Sequence, residues 1–159
     1  MNDIASALST ITSHQAAAPV KLSPIVEELG IKLYGVSNWP NGISGMLKKD
    51  ASARSGFAIY VNTQHPHVRQ RFTIAHELAH YILHRDQIGD GITDDALYRS
   101  GLSNWVEAAA NKQAADILMP WHLINRAIDA GASTLPELAA LFEVSVSAMA
   151  IRLGVPNES

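Results

Sequence analysis

The feature that most constrains this chain is a helical period with two imidazoles and a carboxylate set inside it. Phe72, Ala75, Leu78, Ala79, Ile82 and Leu83 recur at three- and four-residue spacing, the pattern of an amphipathic helix with a broad buried face. Within that run stands His76-Glu77-Leu78-Ala79-His80. Residues four apart share one face of a helix, so both imidazoles can reach a single metal ion. Glu77 then points near the open coordination position, where it can take a proton from a metal-activated water. The competing reading is a surface helix whose His and Glu face water. An apolar period around the string argues against it. The spacing predicts a helix over 69–85.

Composition narrows the class. The 159 residues are 47% hydrophobic and 17% charged, enough for one domain with a real core and too apolar for disorder. A net charge of −3 argues against a strong binder of nucleic acid or anionic membrane, since phosphate neutralisation needs clustered Lys and Arg. The chain has no Cys. That excludes disulfides, thiolate zinc sites and a cysteine nucleophile, and it fits a reducing cytoplasm. No apolar run approaches the length of a membrane span. Residues 1–21 carry an acid at Asp3 and no basic n-region, so they read as a helix or loose leader rather than a signal peptide.

Along the chain, Ser23 and Pro24 fit the N-cap and first helical position of a short helix that Gly30 closes. Ile31–Val36, Gly42–Leu47 and the alternating Phe57, Ile59, Val61 set read as three short strands of a small, mostly antiparallel sheet. Residues 86–103 hold Asp86, Asp90, Asp94 and Asp95 with Gly89, Gly91 and Gly101, and read as a long polar connection. A second active-site helix is expected over 104–119, with Pro120 ending it and a further helix from Trp121 to Ala130. Thr134-x-x-Glu137 and Ser145 then cap a closing pair of helices. The domain reading is a core unit over 22–132 and a helix-turn-helix-like extension over 133–159.

A catalytic zinc usually takes three protein ligands and one water. His65, His67, His84, His122, Glu107 and several Asp are candidates for the third ligand. His84 continues the row of four-residue steps, but each step drifts by about 40° on a 3.6-residue helix. It fits better as a residue that holds a ligand in place or caps the helix. His65 and His67 flank Pro66 in a turn and read as solvated; His122 has no supporting pattern. Glu107 opens the next apolar helix and could reach the metal from there. Equally, Asn104-x-x-Glu107 fits a capping box. Spacing alone does not choose between these two.

The stretch Arg69-Gln70-Arg71-Phe72-Thr73-Ile74-Ala75-His76-Glu77-Leu78-Ala79-His80-Tyr81-Ile82-Leu83-His84, with Tyr60-Val61-Asn62 upstream, closely resembles the signature of the ImmA/IrrE family of metallopeptidases. So does Glu107-Ala108-Ala109-Ala110-Asn111 leading to Ala114-Ala115-Asp116-Ile117-Leu118-Met119-Pro120. Gln113 departs from the aromatic common at that position in the family, which bears on packing rather than on the metal. The resemblance covers roughly residues 22–153. It implies an α+β fold with a small, mostly antiparallel three-stranded sheet on a helical zincin-like core and a helix-turn-helix-like C-terminal element. It makes Glu107 the third zinc ligand, with Mn²⁺ or Fe²⁺ as alternative ions for a His/His/Glu site, and Asn111 an active-site neighbour. It also implies that the protein substrate is a helix-turn-helix repressor whose cleavage releases stress-response or mobile-element genes.

The expected mechanism is metal-dependent peptide hydrolysis with Glu77 as the general base. Tyr81, Tyr98, His84 and Arg71 are candidates for helping the developing oxyanion. An extended peptide would add as a strand to a sheet edge within residues 42–62. Two rival readings stand beside this one. One is a non-catalytic, antitoxin-like interaction protein that retains the metal. The other is a DNA-binding regulator using residues 135–153, which carry Arg152 as their single basic residue and so suit base readout poorly.

Overall fold

The computed structural model describes residues 3–89, the backbone of 91–95, and residues 104–157. The chain opens with α1 (Ile4–Ser13), whose N-cap Asp3 accepts the Ser6 amide at 2.7 Å. Ala7 and Ile11, four apart, are the residues this helix buries. Next comes α2 (Leu22–Glu28). It starts earlier than the sequence suggests, with Lys21 rather than Ser23 as N-cap. Pro24 is tolerated there because the first-turn amides have no helical acceptor to lose. Gly30 follows at φ +77°, and a Cβ on it would come within 3.0–3.1 Å of Arg54 and Ser55, so both backbone sign and space call for glycine.

Three strands follow as expected: β1 (Lys32–Val36), β2 (Ile43–Lys49) and β3 (Phe57–Asn62). They form a mixed sheet. β2 and β3 pair as an antiparallel hairpin, and β1 pairs with β3 in parallel, with Tyr34 opposite Tyr60 and their rings stacked at 5.1 Å. A fourth strand, β4 (Gly91–Asp95), runs antiparallel to β2, giving the order β1-β3-β2-β4. The expectation of three strands is corrected here; of the expected polar connection over 86–103, residues 91–95 form β4, and residues 96–103 lie outside the described residues. Gly91-Ile92-Thr93-Asp94-Asp95 lacks the apolar alternation that marks a strand in a sequence. The order also corrects the expected edge within 42–62: β2 and β3 are interior, and β1 and β4 are the outer strands.

α3 (His67–His84) is the central element. It lies against β2 and β3 on one side and α4 (Asn104–Leu118) on another. Eleven of its residues are buried, on most sides of its second half, which is why its apolar period looks broad. A 3-10 turn over Arg85–Gln87 ends it. Pro120 separates α4 from α5 (Trp121–Asp129). The chain then closes with α6 (Leu135–Phe142) and α7 (Val146–Leu153). Thr134 Oγ1 accepts the Glu137 amide at 3.2 Å, and Ser145 Oγ accepts the Ala148 amide at 3.0 Å. In return the Glu137 carboxylate accepts from Ser133, one residue earlier than a strict capping box. Glu143, at φ 52°, turns the chain between α6 and α7.

One hydrophobic cluster runs through all of this. It joins Ile11, Ile25, Leu47, Ile59, Leu78, Ile117, Ile124, Phe142 and Met149, all at most 3% exposed. Arg71 crosses it as a polar tie. From α3 its guanidinium donates to the carbonyls of Glu143 (3.0 Å), Val20 (2.9 Å) and Phe142 (3.1 Å). Burial pushes its pKa down, and the nearby Glu143 carboxylate opposes that.

Candidate metal centre

The close seating of α3 on the sheet begins at Gly45 of β2. A Cβ there would lie 2.5 Å from Thr73 Cγ2 and 3.0 Å from the Tyr60 carbonyl, with Glu77 Cγ at 3.5 Å. The bare glycine lets the helix approach until Glu77, which is fully buried, packs under the strand. On the α4 side, His76 and His80 face Glu107. Its carboxylate oxygens stand 3.1 Å from His76 Nε2 and 3.2 Å from His80 Nε2. One ligand atom from each of the three lies within 4.8 Å of the other two, and all three residues are buried. The even choice left by spacing at Glu107 is met by this placement: the carboxylate turns toward the imidazoles, where a ligand would be.

Neighbours fix which ring nitrogens carry protons. His76 Nδ1 is 2.8 Å from Asn111 Oδ1. An amide oxygen only accepts, so this Nδ1 carries the proton and Nε2 presents its lone pair to the cluster. His80 Nδ1 is 3.1 Å from His84 Nδ1, a contact that needs one N–H and one lone pair. Burial, and then the neighbouring His80, hold the His84 pKa below the ordinary imidazole value. With His84 accepting in that contact, His80 Nδ1 donates and the His80 Nε2 lone pair is left toward Glu107. Two imidazole lone pairs converging on a carboxylate in a buried space suit a cation. Donors about 2.0–2.1 Å from one ion at a tetrahedral angle stand about 3.3–3.4 Å apart. The observed 3.1 and 3.2 Å approach that spacing, so the donor set fits a zinc-sized ion.

Other residues singled out in the sequence lie elsewhere. Arg71 is committed to carbonyls of the α6–α7 turn and the segment before α2. Tyr81 packs edge-on to Phe57 at 5.4 Å with Arg85 over its ring. Tyr98 falls outside the described residues. His65 is 3% exposed rather than solvated, with Nε2 2.8 Å from the Asn41 carbonyl; it braces the loop before β2. His67 is exposed and meets Glu143 at 2.7 Å. His122 Nε2 stands 2.8 Å from the Gln15 carbonyl, tying α5 to the N-terminal segment. Gly45 was missed by sequence reasoning, although a glycine inside a strand pattern signals a close backbone approach.

The model of a peptidase family described as the IrrE N-terminal-like domain matches residues 42–154. The chain belongs to this family. A curated relative, the radiation response metalloprotease IrrE of Deinococcus radiodurans, is 39% identical over 94 residues, which cover 56% of this chain and 28% of the relative. A solved structure, a Mycobacterium tuberculosis transcriptional regulator, superposes with a TM-score of 0.62 at 16% identity, over 98% of this chain and 47% of that one. That likeness speaks for the fold. The chain thus spans less than half the length of both proteins. As an IrrE-like domain it is of metallopeptidase type, and its His76, His80 and Glu107 group could hold a metal ion. No described helix is long and apolar enough to cross a membrane.

Proposed function

We propose that this chain is a zinc-dependent endopeptidase in which His76, His80 and Glu107 hold the metal and Glu77 is the general base. The observation that carries the reading is the buried convergence of two imidazole Nε2 atoms on the Glu107 carboxylate. When bound, the ion lowers the pKa of an attacking water toward about 7 and polarises the scissile carbonyl. Glu77, one residue from His76 and shut away from bulk water, accepts the water's proton and delivers it to the leaving amine. Asn111 and His84 keep the two imidazoles in the tautomers that ligation needs. The substrate enters as an extended strand along β4, an outer strand whose neighbour β2 carries Gly45 against Glu77.

The substrate class we favour is a helix-turn-helix repressor in a reducing cytoplasm, cut to release the genes it holds. α6 and α7 pack into the central cluster through Phe142 and Met149, and the carbonyls of Phe142 and Glu143 accept from Arg71. The DNA-binding alternative gains no support from α7. Its Arg152 donates to the Met119 carbonyl at 2.9 Å, pairs with Asp116 at 2.8 Å and lies over Trp121. The deciding experiment incubates the full chain, with and without zinc, with the helix-turn-helix protein encoded beside it. Cleavage by the wild type, with none by Glu77→Gln of equal metal content, is expected. Function that survives Glu77→Gln would favour the non-catalytic, metal-retaining alternative instead.

A further inference from the structure

A second concavity, separate from the His-His-Glu group, is enclosed by the end of α2, the β2–β3 hairpin and the last turn of α3. It has a volume of about 620 Å³, within the usual range of small-molecule sites. Its lining gathers Lys49, Arg54 and Arg85 against Asp86. In a chain of net charge −3, the described residues of this lining carry three cations to one acid. A cleft that gathers one sign of charge concentrates ions of the opposite sign.

The cations are also held in place. Arg54 Nη2 donates to the carbonyls of Glu28 (2.9 Å) and Glu27 (3.3 Å), anchoring its guanidinium at the C-terminal end of α2. Arg85 is stacked over Tyr81 at 4.6 Å. Groups fixed before a ligand arrives lose little freedom on binding it. Guanidinium and ammonium donors together match the oxygens of a phosphoryl dianion. Leu29 and Phe57 supply an apolar wall beside them.

We propose that this cleft binds a small phosphomonoester, its dianionic head between Lys49, Arg54 and Arg85 and a compact apolar or aromatic body against Leu29 and Phe57. The site stands independently of the peptidase reading. The probe is phenyl phosphate, titrated into the full chain and followed residue by residue by amide NMR. Saturable shifts are expected within 49–57 and 81–89, with a Kd on the order of 1 mM or tighter. Inorganic phosphate and phenol should each bind about tenfold more weakly, since each keeps only half of the contacts. Lys49→Glu should weaken binding about tenfold or more, while the control Lys48→Glu, one residue away on the same strand, changes it by less than about twofold. Both side chains are exposed, so an unchanged unfolding midpoint checks the fold of each variant. The proposal is overturned by absence of saturable shifts in these segments, by shifts centred on 76–80 and 107–111 instead, or by a Lys49→Glu variant that binds as wild type does. Inorganic phosphate binding as tightly as phenyl phosphate would overturn the ester assignment.

Discussion

Replacing Gly45 with alanine tests how the central helix is seated on the sheet. The added Cβ would stand 2.5 Å from Thr73 Cγ2 and 3.0 Å from the Tyr60 carbonyl. Carbon atoms in contact prefer about 3.5–4.0 Å, so roughly 1 Å must be found. Thr73 is 7% exposed and β-branched, with few rotamers open to it in a helix. Relief therefore requires lifting α3 from β2. Overpacking of this kind costs about 1–3 kcal/mol, and we expect Gly45→Ala to fall near the upper end, at about 2–3 kcal/mol. For a chain of this size that corresponds to a loss of about 4–12 °C in melting temperature.

The cause can be isolated, because Thr73→Ser removes Cγ2 alone. On its own this change should cost about 1 kcal/mol or less, the value of one methyl group. Combined with Gly45→Ala it should recover at least about 1 kcal/mol of the loss, leaving a residue from the Tyr60 carbonyl. Equilibrium urea unfolding of the four proteins closes the cycle. Metal affinity should fall in Gly45→Ala and return in the double variant, since His76 rides on the displaced helix. A Gly45→Ala cost under about 0.5 kcal/mol, or a double variant no more stable than the single, would refute the steric argument.

Arg71→Met removes a buried guanidinium from three carbonyls at 2.9–3.1 Å; the orphaned acceptors should cost about 3 kcal/mol or more in urea unfolding. Asn111→Ala should weaken metal binding about 10- to 100-fold by chelator competition, by freeing the His76 tautomer, with little change in unfolding because Asn111 is exposed. Zinc at a hundred times its Kd should stabilise the chain by about 2.7 kcal/mol, or about 5–11 °C by thermal melting. A melting temperature indifferent to zinc and to chelator would sink the metal reading. Because imidazoles and carboxylates ligate only in their deprotonated forms, zinc affinity should fall as pH is lowered and be regained as it is raised, as read by isothermal titration across pH.

Local signals carried much of the fold. The α3 period, Pro120, Thr134 and Ser145 each act within a few residues, and each marks an element boundary to within about two residues. What was not legible depends on contacts distant in sequence. Nothing in residues 32–36 says that β1 will pair with β3 in parallel rather than with its neighbour β2. Residues 91–95 carry acids and one glycine, and become a strand because β2 offers them an edge. The site divides the same way. His76, Glu77 and His80 are one helical turn and were readable as such, whereas Glu107 had two local explanations and His65 read as a solvated turn residue though it is buried. His65 is buried because Asn41 lies across from it, which no turn pattern records.

The geometry of the site also explains why two helices suffice to define it. α3 supplies His76 and His80 together with His84, whose Nδ1 stands against His80 Nδ1. α4 supplies Glu107 and, one turn on, Asn111, whose Oδ1 accepts a hydrogen bond from His76 Nδ1. Each helix thus brings a potential ligand and an orienting partner at four-residue spacing, and only the distance between the two axes remains to be set. The contacts that hold α3 decide that distance. Gly45 lets it sit on the sheet, and Arg71 ties it to the α6–α7 turn.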